Sequence, residues 1–324
     1  MNLAAYFASL NPVGLLKNMP GGVAQGIVWG IMALGVYITF RLLDIADLTV
    51  DGTLTTGGAT TVVLILAGWP AWAALLAALI AGLLAGLVTG LLHTRLGIPA
   101  ILAGILTQFA LFSINLHIMG GWKGIANLAV NPDQYQLIIS ARTVSKAIVV
   151  GLVLAALIIG ALYWYFGTEL GSAIRATGSN PAMSRALGIN IDTMKVLGLA
   201  ISNALVALAG GLLAQYQGFS DINMGRGAIV IGLAAVIIGE TLCDAFFRKG
   251  SNFAVRLAFL VIGGIIYYIV VVIVLWMRLP SNDLKLFTAV VVAIFLAVPH
   301  LQKQARSSFK AIAKKNAKEG ASRA

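Results

Sequence analysis

The chain has 324 residues, of which 60% are hydrophobic and only 10% are charged, and its mean hydropathy is +0.95. Soluble domains average about 45–50% apolar and about 25% charged residues, so the composition excludes an ordinary soluble domain and predicts a protein embedded in a lipid bilayer. The net charge of +11 is explained by contact between a basic segment and anionic lipid, and nucleic acid is not an expected partner.

Apolar segments of the length needed to cross hydrocarbon follow one another along the chain. Leu3–Leu16 precede them as an expected interfacial helix rather than a cleaved signal peptide. Nine segments are predicted, within a range of eight to ten spans: 22–40, 53–67, 70–92, 99–119, 145–167, 195–217, 227–243, 254–276 and 284–299. The sequence therefore predicts an all-α, polytopic membrane bundle that occupies 1–300 as one domain, followed by a tail over 301–324.

Lysine and arginine placement predicts the orientation of these spans. The tail carries seven basic residues against the single acid Glu319, which places it in the cytoplasm. Counting back through nine spans puts eight further basic residues inside and leaves seven outside. The predicted protein lies in the cell membrane with an external N-terminus and a cytoplasmic C-terminus.

Glycines recur every four residues in the third segment, at Gly82, Gly86 and Gly90. Small residues at this spacing let two helices approach closely in lipid. The stripe predicts tight packing of the bundle.

Two polar breaks interrupt the apolar pattern. The first carries Asp44, Asp47 and Asp51, followed by several threonines. It is either an interfacial loop whose acid caps the next helix, or a discontinuous helix beside a translocation path. The second break, 218–227, faces the opposite side in the predicted topology, as an inverted repeat would produce.

Catalytic and metal-binding patterns are not found in the sequence. It contains no phosphate-binding Gly-rich loop, one cysteine (Cys243) and three widely separated histidines. No enzymatic activity, metal or bound cofactor is therefore predicted. Glu240 and Asp244 lie on one helical face near an inner span end, where a local ion pair with Arg248 is expected. No strong mid-membrane carboxylate of the kind an ion-coupled carrier needs is predicted.

A short, well-capped helix is predicted between the fifth and sixth segments. Asn180 suits the N-cap, Pro181 the first helical position, and Gly188 the position after the end. Such a helix could lie on the bilayer surface, or it could seat its apolar anchors Met183 and Leu187 in a groove of a cytoplasmic partner. The predicted contact set is Asn180, Pro181, Ala182, Met183, Ser184, Arg185, Ala186, Leu187 and Gly188.

The segment 171–211 resembles the permease subunits of ATP-binding-cassette (ABC) importers. The resemblance rests on Ala-Ile-Arg-Ala-Thr-Gly-Ser-Asn-Pro-Ala-Met-Ser-Arg-Ala-Leu-Gly-Ile-Asn, followed by Leu-Ala-Gly-Gly-Leu-Leu-Ala. The chain is most similar to the branched-chain amino-acid and ribose permeases. Asp47–Gly52 resembles the Asp-Leu-Ser-Val-Gly motif of the sugar permeases, but Asp51 stands where they have glycine. This departure favours a branch linked to amino acids, aromatic ones among the candidates.

The resemblance implies a type II importer-like fold in which the 169–193 loop carries the coupling helix. It also implies two permease copies, cytoplasmic ATPases that consume the ATP, and an external solute-binding protein that contacts the loops 120–144 and 218–226. The expected path residues are Thr49, Asp51, Thr53, Gln108, Asn115 and Asn203. The alternatives are an ion-coupled secondary transporter, a sugar or nucleoside permease of the same family, and a membrane scaffold without transport activity.

Overall fold

The computed structural model describes residues 12–247 and 252–277, with four further single positions at 286, 290, 293 and 297. The fold is almost entirely helical. Its helices are α1 (Pro12–Tyr37), α2 (Thr49–Leu66), α3 (Ala71–Thr94), α4 (Ala100–Gly120), α5 (Val144–Gly167), α6 (Glu169–Ser179), α7 (Pro181–Ala186), α8 (Ile191–Gln217), α9 (Ala228–Phe246) and α10 (Phe253–Trp276). Within these described residues, seven helices are long and apolar enough to cross a membrane.

Eight described helices coincide with the first eight predicted segments. The ninth segment, 284–299, lies outside the continuously described ranges, as does the tail. One predicted boundary is wrong: α1 begins at Pro12 and not near 22, so the described end of the expected interfacial helix belongs to the first span. Pro12 fits at a helix start because proline has no backbone N–H, and the first N–H groups of a helix have no intrahelical acceptor.

Helix α8 lies at the centre of the bundle and packs against α1, α2 and α3. A Cβ atom added at Gly86 would lie 2.8 Å from Cα of Ala200, and one at Gly90 would lie 2.8 Å from Cα of Val196. Only glycine allows the backbones of α3 and α8 to come this close. The predicted close packing along the glycine stripe is therefore confirmed.

The chain changes direction between α1 and α2 through an irregular segment. A π-helical turn, Ile38–Leu42, ends the first helix, and Asp44 adopts a left-handed backbone conformation with φ of +56°. Such turns interrupt the regular hydrogen-bond ladder and often occur at functional sites. The segment 43–48, between this turn and Thr49, is called the hinge segment below.

Ion pairs join the helix ends beside the 169–193 loop. Nε of Arg41 lies 2.9 Å from Glu240, and Nη2 of Arg256 lies 3.9 Å from Asp244. Both acids of α9 thus pair with basic residues of other segments. The ion pair that the sequence predicted with Arg248 involves a residue outside the described ranges. The end of the bundle formed by this loop and these pairs is called the coupling end.

Two short strands lie toward the opposite end. Strand β1 (Asn127–Ala129) pairs antiparallel with β2 (Phe219–Asp221), with Leu128 opposite Ser220. Strand β1 belongs to the loop 120–144 and β2 to the loop 218–226, and both loops were predicted to face outward. These loops therefore form one connected surface.

Candidate functional site

The first turn of α2 lies at mid-depth in the bundle. Oγ1 of Thr53 donates to Oδ1 of Asn203 at 2.7 Å, and Gly57 packs against Ala207, so α2 and α8 run parallel from this level. Helix α8 rises 1.5 Å per residue and is about 40 Å long, and Asn203 lies about 18 Å from its start. The α1–α2 connection is therefore a helix discontinuity inside the bundle, as one of the two sequence interpretations predicted.

The second polar break returns to the same level. Gly225 packs directly against the backbone carbonyl of Asp51, and Ser220 lies beside Gly58. The loop 218–227 thus leaves the far end of α8 and runs back along α2 to its first turn. Irregular backbone at such depth requires protein partners or a water-filled cavity. The two predicted breaks are in direct contact.

Asp51 joins the two breaks through its carboxylate. Its Oδ2 accepts a hydrogen bond from the backbone N–H of Gly227, and its Oδ1 accepts one from that of Ile229, both at 2.9 Å. These donors belong to the start of α9, where unpaired N–H groups and the helix dipole favour a negative charge. The other interpretation of the first break, an interfacial loop whose acid caps the next helix, does not describe Asp51, because Asp51 lies inside the bundle and the helix that it caps is distant in sequence.

A cavity of about 390 Å³ opens beside Asp51. Its wall combines carboxylate, amide, guanidinium and phenyl groups: Asp51, Gly52, Thr55, Gln108, Phe109, Phe112, Asn115, Ile222 and Arg226. Asn115 is 1% exposed and donates from Nδ2 to the carbonyl of Gly52 at 3.3 Å, whereas its Oδ1 has no hydrogen-bond partner. A buried acceptor without a hydrogen-bond partner thus lies in the wall of the cavity.

Three of the six predicted path residues line this cavity: Asp51, Gln108 and Asn115. Phe109, Phe112 and Arg226 were not predicted. The sequence did contain a signal for Phe112, because Gln108, Phe112 and Asn115 are spaced four and three residues apart and share one face of α4. Arg226 gave no such signal, since it reaches the cavity only through the returning loop.

The other three predicted path residues lie in a buried hydrogen-bond network. Thr49, Thr53 and Asn203 are each fully buried, and none of them lines the cavity. Asp47 accepts from the backbone N–H of Thr49 through Oδ1 at 2.9 Å and from Nδ2 of Asn203 through Oδ2 at 2.7 Å. In this structure these side chains hold helices together rather than line a path.

The network continues toward α3 and α4. Oγ1 of Thr49 lies 2.9 Å from Oγ1 of Thr89, which in turn donates to Oγ1 of Thr107 at 3.0 Å. Hydroxyl groups from three helices thus meet at the hinge segment. Asp47 and Asp51 are carboxylates at mid-depth, where none was predicted. Each is stabilised there by hydrogen bonds to the protein.

The 169–193 loop forms the predicted capped helix, preceded by an unpredicted one. In α7, Oδ1 of Asn180 accepts from the backbone N–H of Met183 at 3.0 Å, Pro181 begins the helix, and Gly188 has φ of +81°. Met183 is 60% exposed and Leu187 is 67% exposed, whereas Ser184 is buried and donates to the carbonyl of Asn180. The two predicted anchors therefore project from the bundle.

Helix α6 connects this projection to the hinge segment. Its N-cap is Thr168, whose Oγ1 accepts from the backbone N–H of Gly171, and Ile174 is completely buried. Near its other end, Gly178 lies so close to the backbone of Leu42 and Leu43 that a side chain would overlap it. Helix α6 therefore packs directly against the start of the hinge segment, a few residues before α7 begins.

The family described as "Branched-chain amino acid transport system / permease component" matches residues 18–299. The chain is 37% identical over 286 residues to the tyrosine transport system permease protein of Clostridioides difficile (strain R20291), a match that covers 86% of this chain and 90% of that protein.

Two further matches extend the comparison. The autoinducer 2 import system permease protein LsrC of Yersinia pseudotuberculosis serotype O:1b (strain IP 31758) is 31% identical over 211 residues, 64% of this chain and 58% of that protein. Among solved structures, PsaBC from Streptococcus pneumoniae in complex with Fab has a TM-score of 0.37 and 17% identity, over 81% of this chain and 95% of that chain.

Proposed function

The chain belongs to the permease family of branched-chain amino-acid transport systems, and we propose that two copies of it form an import pathway for an amino acid or a related small solute. It is a multi-pass membrane protein, the permease component of an ABC importer. The family is one of transport proteins that work with a separate ATPase and a solute-binding protein. In the proposal ATP is bound and consumed by the ATPase, and this chain carries no cofactor.

The observation that carries the proposal is the projecting helix α7. Met183 on α7 and Leu187 directly after it are both more than half exposed, and Asn180 caps the start of the helix. An exposed apolar pair on a rigid helix suits a groove in a protein partner. We assign this partner as the ATPase, so the coupling end faces the cytoplasm in the proposal, and the basic charge of the C-terminal tail supports a position on the same side.

The pathway is proposed to pass the cavity beside Asp51. ATP-driven closure of the ATPases would shift α7, and the contact of Gly178 with the hinge segment would pass that shift to α2. Because α2 carries Asp51, the cavity wall would move with it. The bundle would thereby alternate between two states whose equilibrium ATP binding biases. The external solute-binding protein would deliver its solute to the surface formed by 120–144 and 218–226.

Tyrosine is the first substrate to test, because it appears in the name of the relative from Clostridioides difficile. A sugar or nucleoside remains the alternative within the same family. An ion-coupled carrier is the alternative from another class, and the buried carboxylate of Asp47 favours it. Against that alternative, both oxygens of Asp47 already accept hydrogen bonds from the protein.

Uptake by reconstituted vesicles separates these functions. Vesicles that contain the permease, its ATPase and its binding protein should accumulate labelled tyrosine only with ATP on the ATPase side, and an uncoupler should leave the rate unchanged. Uptake that an ion gradient drives without the ATPase would instead establish the carrier. ATP-dependent uptake of nucleosides or sugars, but not of amino acids, would overturn the proposed substrate class.

The two-copy arrangement needs a separate measurement. The mass of the detergent-solubilised complex should correspond to two copies of this chain and two ATPases. A complex that contains a second, different permease chain would contradict the homodimer.

A further inference from the structure

The cavity beside Asp51 is lined by one carboxylate, that of Asp51, and by one guanidinium group, that of Arg226. Each carboxylate oxygen of Asp51 accepts one backbone hydrogen bond and retains capacity for another. Arg226 is exposed and forms no ion pair with an acid among the described residues. The cavity therefore offers one negative and one positive group to whatever enters it.

The rest of the wall indicates the shape and polarity of the occupant. Phe109 and Phe112 present exposed phenyl rings, and the buried Oδ1 of Asn115 is an acceptor without a partner. The volume of about 390 Å³ lies within the range of about 300–1,000 Å³ found for small-molecule sites. This combination suits a small solute with an apolar part and at least one donor group.

A zwitterion matches these groups better than a neutral solute. An ammonium group would donate hydrogen bonds to Asp51, and a carboxylate would accept a forked pair from the guanidinium of Arg226. A neutral sugar would displace water from both charges without replacing it by an opposite charge, which is costly.

We propose that this cavity is a two-ended site for an α-amino acid with an apolar or aromatic side chain, in which Asp51 holds the ammonium group and Arg226 holds the carboxylate. Phe109 and Phe112 contact the side chain. The inference rests on the proposed function, because it treats the cavity as part of the import pathway. It adds the recognition of both charged ends, and it makes Arg226 a specificity-determining residue.

Binding to the permease–ATPase complex in lipid nanodiscs tests the site. The binding protein is left out, since its own selectivity would mask that of the cavity. The probes are tyrosine, tyramine, which lacks the carboxylate, and 3-(4-hydroxyphenyl)propionate, which lacks the ammonium group. Isothermal titration should give an affinity for tyrosine at least tenfold higher than for either analogue. Equal affinities, or no binding of tyrosine, would overturn the proposal.

Variants assign the two ends. Arg226→Gln should weaken tyrosine binding at least tenfold and leave tyramine binding unchanged, whereas Asp51→Asn should weaken tyrosine and tyramine but not the propionate. The control is Arg142→Gln, at an exposed arginine that pairs with Asp133 outside this cavity, and it should change none of the three affinities. If either cavity variant weakens all three probes equally, the proposed assignment is wrong.

Parallel uptake assays keep this proposal separate from the proposed function. If no solute accumulates with ATP, ATPase and binding protein present, the import function itself fails. If amino-acid uptake depends on ATP but Arg226→Gln lowers tyrosine and tyramine binding equally, the import function stands and only the two-ended site is refuted.

Discussion

Truncation of both anchors of α7, in the double variant Met183→Ala/Leu187→Ala, should detach the ATPase without unfolding the bundle. Full burial of such a side chain contributes about 1.5–3 kcal/mol. Met183 is 60% and Leu187 is 67% exposed, so docking can bury about these fractions of the two side chains, worth together about 2–4 kcal/mol. At 1.4 kcal/mol per factor of ten, the affinity for the ATPase should fall about thirtyfold to several hundredfold.

The assay is the affinity of the nanodisc-embedded permease for its ATPase, with thermal unfolding of the permease measured in parallel. The melting temperature should not change, because both side chains project away from the bundle. Leu157→Ala is a matched control, since Leu157 is 64% exposed but lies in the middle of the span α5, about 18 Å along the helix from the 169–193 loop. An affinity equal to that of the unmodified protein would refute the assignment of α7 as the coupling helix. An equal loss in the Leu157 variant would refute the localisation to α7.

Three further predictions concern the packing around the site. Asn203→Leu removes three buried hydrogen bonds, one of them to a carboxylate, and should cost about 2–4 kcal/mol and lower the melting temperature. Asn127→Leu at an exposed position should not lower it, and equal melting temperatures for the two variants would contradict the network. Gly86→Val should lower the free energy of unfolding by about 1–3 kcal/mol, because the added side chain forces α3 away from α8. Gly160→Val is the control and should leave the free energy of unfolding nearly unchanged, because a Cβ atom at Gly160 meets nothing within 4 Å. Asp51→Ala should lower the melting temperature by removing the acceptors that cap α9, at a cost of about 1–2 kcal/mol; an unchanged value would show that the cap contributes little.

The capped helix illustrates what local sequence can predict. Asn180, Pro181 and Gly188 act within one or two turns of backbone, so their order along the chain already determines where α7 begins and ends. The exposure of Met183 and Leu187 followed from their placement on the short helix. Helix α6 escaped prediction because it is too short and too polar for a span, although Thr168 and Asn180-Pro181 mark its two ends.

The path residues show where such reasoning stops. Gln108 and Asn203 are both uncharged amides within apolar segments, and nothing in their local patterns separates a cavity wall from a buried network. The difference arises because Asn203 faces Asp47 and Thr53 across helices, whereas Gln108 faces open space. Likewise, Asp51 was recognised as important, but its partners at the start of α9 lie more than 170 residues away in the sequence.

The amino-acid sequence by itself determined the membrane environment, the position of eight described helices and the capped projection, because each depends on hydrophobicity or backbone preferences within one segment. The tertiary structure alone decided that the two polar breaks meet at mid-depth, that Asp51 caps a remote helix, and that Arg226 shares a cavity with it. These features depend on the register between helices, which is fixed by close backbone contacts at glycines such as Gly57 and Gly86 and not by any single segment.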